Sequence, residues 1–120
     1  MKNDFFNFEK LIVYQKSLDY VDFVYSITNK FPHSESFSLT SQFIRAATSI
    51  SLNIAEGAGE SNAQFKRYLN ISRGSIRECI VCSTIAGRRK YINKEIENAS
   101  RDKLTELSKM ISGLISSFDK

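Results

Sequence analysis

Tryptophan is absent from this chain of 120 residues, proline and histidine occur once each, and there are two cysteines. Each scarcity removes a class of protein. A structural zinc site needs four ligands, and Cys79, Cys82 and the distant His33 fall short of that number. Cys79 and Cys82 do form a Cys-x-x-Cys, but inside a helical pattern. A redox pair places its nucleophilic thiol at a helix start, where the dipole lowers its pKa, so these two are expected to be packing residues. His33 sits beside Ser34 and Glu35 in a connector, where neighbours point in different directions, so no triad is expected. Gly57-Ala58-Gly59 lacks the Gly-Lys-Ser/Thr of a phosphate loop and is expected to be a turn between helices. No apolar run approaches the ~20 residues of a membrane span. The first ten residues, MKNDFFNFEK, contain acids and neither a long apolar stretch nor a small-residue cleavage site. No signal peptide, membrane, metal or cofactor is expected, and the default location is cytoplasmic.

What the chain does have is helical periodicity. A content of 42% hydrophobic and 25% charged residues with a single proline suits one mostly helical domain over residues 1–120. The first helix is predicted from Glu9 to Lys30 and carries two apolar stripes. Leu11, Tyr14, Leu18, Val21 and Tyr25 form one; Val13, Tyr20, Val24, Ile27 and Phe31 form the other. A helix this apolar is covered on more than one side, and a single bundle core accounts for only one stripe. The second stripe therefore predicts self-association. Pro32 disfavours helix at Phe31 and ends the segment.

The second helix is predicted from Leu39 to Glu56, with Gly57 and Gly59 as its stop. Gln42, Arg45, Ser49, Asn53 and Glu56 recur at steps of three or four and share a face. Ile44, Ala47, Ile50 and Ile54 overlap its apolar side. A polar row so close to a core needs hydrogen-bond partners. The expected arrangement is a structural network in which Arg45 pairs with Glu78 or Glu56 while Ser49 and Asn53 bond neighbouring backbone. The competing interpretation makes Arg45 an electrophile, Glu56 a general base and Asn53 a substrate-orienting group. With no nucleophile or metal beside the row, an enzyme is not expected.

Ser61 and Gln64 have capping-box spacing and open the third helix. Phe65, Leu69, Ser72, Ile76, Cys79, Ser83 and Ala86 share one face, whose small residues admit a close neighbour. Lys66, Arg73, Arg77 and Arg88 fall opposite. Between Ser61 and Tyr91, seven cations (Lys66, Arg67, Arg73, Arg77, Arg88, Arg89 and Lys90) accompany one acid, Glu78. That segment carries +6, so with a whole-chain charge of +4 the remainder carries −2. An acidic partner is implied, with phosphate contact through these seven residues as the candidate chemistry. Gly87 and the Arg88-Arg89-Lys90 cluster mark the approach to the helix end. A fourth helix begins near Asn93, and Leu104, Leu107, Ile111, Leu114 and Phe118 step along it by three and four as a bundle seam.

The central segment Ser41–Gly57, SQFIRAATSISLNIAEG, resembles the signature of the bacterial four-helix bundle proteins of intervening sequences in large-subunit rRNA genes. The likeness extends over nearly the whole chain. Its signature positions are Gln42, Arg45-Ala46-Ala47, Ser49-Ile50 and Asn53-Ile54-Ala55-Glu56-Gly57. Phe8–Tyr14 and Phe31-Pro32 are similar to the family's opening, and Phe65, Arg67, Tyr68, Leu69 and Gly74–Glu78 to its third helix. Such proteins are similar to accessory proteins of diversity-generating retroelements, which form basic pentamers that bind nucleic acid. The resemblance thus implies a homopentamer and RNA or DNA as a partner.

Together these readings predict an all-α, antiparallel up-down four-helix bundle that self-associates, without catalysis. Its expected role is a low-specificity nucleic-acid-binding or ribonucleoprotein accessory module. The alternative is a protein–protein interaction scaffold whose nucleic-acid affinity is incidental.

Overall fold

The computed structural model describes residues 6–119; the opening segment, with its expected lack of a leader, lies partly outside them. Four helices follow one another: α1 (Ile12–Thr28), α2 (Leu39–Ala58), α3 (Asn62–Arg88) and α4 (Lys94–Ser117). Short 3-10 turns, Asn7–Lys10 and His33–Glu35, precede α1 and α2. Among the described residues there is no strand, and no helix is long and apolar enough to cross a membrane.

Side-chain pairs fix the directions. Ser17 meets Ser51, Ser72 meets the Ile50 carbonyl, Ser83 meets Ser100, and Tyr20 meets Ser100. Farther along, Phe31 meets Phe43 and Phe65 meets Phe118. Partner numbers rise on one helix as they fall on the next, so chain neighbours run antiparallel, as the short connections require. α2 and α3 share the most extensive contact, and α1 closes onto α4 least. The predicted all-α four-helix bundle is the fold.

The local reasons are readable. Asn93 caps α4 by accepting from the Ile96 amide at 2.8 Å, and Ser61 caps α3 by accepting from the Gln64 amide at 3.3 Å. The Gln64 side chain does not complete a capping box; its oxygen instead accepts from Arg67 at 3.5 Å. On α3, the seven residues of the predicted inner face are all buried. Their small size lets α2 come close, and serines bridge the contact: Ser72 donates to the Ile50 carbonyl at 3.0 Å, and Ser75 to Ser49 at 2.8 Å. Among the described residues, no buried side-chain polar atom lacks a partner.

Two predicted boundaries shift. α1 starts at Ile12 rather than Glu9, because Leu11 is extended (φ −70°, ψ 127°). The Asn7–Lys10 turn is held separately, with the Phe6 amide donating to the Glu9 carboxylate at 2.8 Å. α2 continues through Gly57 to Ala58, so Gly57 is not a stop. Its missing side chain admits α3: a Cβ there would lie 2.7 Å from Tyr68 Cβ and 3.0 Å from Phe65 Cδ1. Gly87 is likewise helical, and a Cβ would overlap the Glu97 carboxylate. α3 ends at Arg88, within the expected cluster, and Lys90 just beyond it is left-handed with a φ of 66°. There the Tyr91 amide donates to the Ala86 carbonyl and the Lys90 amide to Gly87, a Schellman closure built without glycine at its left-handed position.

Candidate nucleic-acid interface

The two α1 stripes part company. Val13, Tyr20, Val24, Ile27 and Phe31 are buried in the core. Of the other stripe, Leu18 is 40% and Tyr25 54% exposed, while Leu11, Tyr14 and Val21 are half-buried. Leu11, Tyr14 and Val21 pack against the edge of the core, and only Leu18 and Tyr25 of that line are left exposed.

The seven candidate cations differ in what surrounds them. Lys66 is paired with Asp119 at 2.7 Å. Arg67 lies over the Tyr68 ring, 5.3 Å from its centroid. Arg73 donates to the Asn70 side chain at 3.3 Å. Arg89 lies close enough to Glu35 to help lower its pKa, and Lys90 borders a hollow shared with Glu97. Among the described residues, Lys66 alone of the seven has an ion pair; Arg67, Arg77, Arg88, Arg89 and Lys90 are exposed and Arg73 is half-buried.

The polar row of α2 divides as well. Asn53 donates to the Ser49 carbonyl at 2.9 Å and to Ser49 Oγ at 3.1 Å, and Ser49 accepts from Ser75. Gln42, Arg45 and Glu56 are exposed. Gln42, Arg45, Ser49 and Glu78 line one cleft of about 270 Å³. Yet among the described residues no ion pair joins Arg45 to Glu78 or Glu56, which corrects the expected pairing. The groups point outward, where water solvates each charge and holding two long side chains together gains little. Arg45 and Glu56 are eleven residues apart, so about 16 Å separates them along the helix. That distance does not converge on one reacting atom.

Cys79 and Cys82 are both buried and unpaired. Burial pushes the Cys79 thiol up to about 12 and Cys82 to about 11, the reverse of a reactive pair. His33 is exposed in the 3-10 turn before α2.

Two features escaped the sequence reading. Tyr91 donates to the Glu35 carboxylate at 2.8 Å, joining the α3–α4 turn to the α1–α2 connector; no local signal links residues 56 apart. A cleft of about 780 Å³ lies between the start of α2 and the end of α3, lined by Phe37, Val81 and Ile85 with Arg77, Glu78 and Arg89. Phe37 is 98% exposed. The outward spacing of Ile71, Val81 and Ile85 on α3 was the available clue.

A four-helix bundle of long helices with a basic flank on α3 is the class these observations define. The model of the 23S rRNA-intervening sequence protein family matches residues 9–113, and the chain belongs to that family. A crystal structure of a protein with unknown function from the S23 ribosomal protein family of Bacteroides thetaiotaomicron is similar, at 26% identity and a TM-score of 0.80. The match covers 87% of this chain and 98% of that one. No curated protein matches the chain.

Proposed function

We propose that this protein is a non-enzymatic, self-associating bundle that binds RNA or DNA through backbone phosphates, with little sequence preference, as a ribonucleoprotein accessory module. The observation that carries this reading is the cationic flank of α3, where Arg73, Arg77 and Arg88 lack carboxylate partners among the described residues. The family's name, with its reference to 23S rRNA, supports a nucleic-acid context. Association of several copies, five if the resemblance holds, multiplies a modest charge into a strong field and makes weak phosphate contacts cooperative.

Base-specific readout would need side chains that enter a groove or stack on bases, and the sequence carries no zinc-finger, RNP-like aromatic or helix-turn-helix pattern for it. The test is a salt titration of fluorescent RNA and DNA with the wild type and an Arg73→Glu/Arg88→Glu variant. Each lost phosphate contact should flatten the log–log salt slope by about 0.7–0.9. Unchanged affinity and slope would overturn the assignment.

The apolar cleft around Phe37 favours the second reading, a scaffold for a protein partner. Recovery of an acidic protein at salt concentrations that abolish nucleic-acid binding would select it.

A further inference from the structure

One end of the bundle gathers residues that the sequence keeps far apart. α1 and α3 finish there, and α2 and α4 begin there. Tyr91 ties the two connectors together, donating to Glu35 at 2.8 Å and packing its ring 5.3 Å from that of Phe31. Phe37 therefore stands beside the end of α3 and shares the cleft of about 780 Å³ with Val81, Ile85 and Arg89. Its ring is 98% exposed, so packing within the fold does not account for it. The fold leaves an aromatic face open at this end.

The charge around that ring is positive at the helix end and balanced farther back. Arg88 and Arg89 follow Ile85 by three and four residues, which puts both on its side of α3, and Lys90 lies in the turn after them. All three are exposed, without an ion pair among the described residues. Two carboxylates share the cleft. Glu35 is engaged by Tyr91 and by the Leu39 amide at 3.2 Å, so both its oxygens are already bonded. Glu78 lies eleven residues before Arg89, about 16 Å away along the helix, with Arg77 next to it in sequence and Arg45 lining the same small cleft. Lys94 and Glu95, which open α4, cancel. Three cations thus stand near Phe37 against one engaged carboxylate, an end that attracts a polyanion.

We propose that Phe37 is a stacking platform for an unpaired base, and that this end of the bundle takes a single strand with its phosphates over Arg88 and Arg89. This rests on the phosphate binding proposed above and deepens it by naming the form of nucleic acid. A duplex keeps its base faces covered by neighbouring pairs, and a ring on an open surface reaches them only by unstacking a step. A single strand presents its base faces freely, and an aromatic ring beside cations is the arrangement that holds one. Stacking is tolerant of base identity, because every base has a π-face, so the low sequence preference is kept. Val81 and Ile85 give the cleft an apolar wall beside the stacked base.

The chain has no tryptophan, so Phe37→Trp makes a lone fluorophore at the stacking position. An unlabelled single-stranded oligonucleotide should quench it, and a hairpin duplex of the same composition should not. In parallel, fluorescein-labelled forms of both are titrated with the wild type and Phe37→Ala at low salt. The wild type should prefer the single strand. Phe37→Ala should weaken single-strand binding about tenfold and leave duplex binding unchanged. Its salt slope should match the wild type's, since no phosphate contact is lost. Circular dichroism and light scattering check that fold and mass are unaltered. Equal affinity of the wild type for both forms, an unaffected Phe37→Ala variant or an unquenched Phe37→Trp would each overturn the proposal. A fall in mass on Phe37→Ala would also overturn it, by assigning the ring to a contact between copies. The phosphate-binding reading fails differently: the wild type would then bind neither form at low salt. Salt-dependent binding that is indifferent to position 37 would sink the stacking alone.

Discussion

Tyr20 Oη lies 2.9 Å from Ser100 Oγ, a hydrogen bond that ties α1 to α4 where these helices touch least. Ser100 also bonds Ser83 at 2.7 Å, and Ser83 donates to the Cys79 carbonyl, so one serine joins three helices. Burial raises the Tyr20 pKa, which keeps the phenol protonated and able to donate. Because the apolar contact between α1 and α4 is thin, this polar junction holds the bundle closed.

Ser100→Ala should therefore cost more than either neighbour's loss. It strips the buried Tyr20 hydroxyl of its Ser100 partner, at about 1–3 kcal/mol. Ser83→Ala leaves the Tyr20–Ser100 pair in place and removes only the acceptor of the Ser100 hydroxyl. It should cost less than Ser100→Ala, which strips both Tyr20 and Ser83 of a partner. Urea denaturation of the two variants checks the order.

Gly57 and Gly113 are both helical, and only one is closely packed. Gly113→Ala places its methyl in open space, and should stabilise by about 1 kcal/mol through helix propensity alone. Gly57→Ala gains the same propensity but drives a methyl into Tyr68 and the Phe65 backbone, overpacking that costs about 1–3 kcal/mol. Thermal melts should move in opposite directions, or at least leave Gly57→Ala well below Gly113→Ala.

Glu35 gives the acid limb of the stability profile a definite sign. The hydrogen bond from Tyr91, followed by that from the Leu39 amide, holds its carboxyl below the ordinary value of 4.5. The unfolded chain takes up the proton first, so this contribution is complete above the ordinary value and is lost as pH falls through the lower folded one. The same bond raises the Tyr91 pKa, so its contribution is present below the phenol's ordinary value of 10.0 and disappears as pH rises through the folded value. Tyr91→Phe should flatten the dependence of the urea midpoint on pH at both ends. An unchanged acid limb would show that the clamp does not couple to folding.

How much was legible depended on the range over which a residue acts. The buried face of α3, from Phe65 to Ala86, followed from a period of 3.6 and needed no knowledge of its partner. The cap at Ser61 followed from a side chain reaching an amide three residues on, and the start of the fourth helix was placed at Asn93 without recognising its cap. Gly57 was misread because a glycine near a helix end is locally indistinguishable from a stop; its real reason, the approach of Phe65 and Tyr68, comes from the next helix. Arg45 was misassigned for a related cause. A shared helix face brings it near Glu78 without saying whether the two ends meet, and they do not. The cationic segment was plain as a count, while Lys66's attachment to Asp119 depends on the far end of α4.

The sequence by itself determined four helices, which sides of them are apolar, and where the positive charge accumulates, because those properties arise within one or two turns of backbone. Tertiary structure alone decided which glycines admit a neighbour, which cations are left unpaired, and that Tyr91 reaches Glu35. Those outcomes depend on distances between residues remote along the chain, and packing the helices against one another is what sets them.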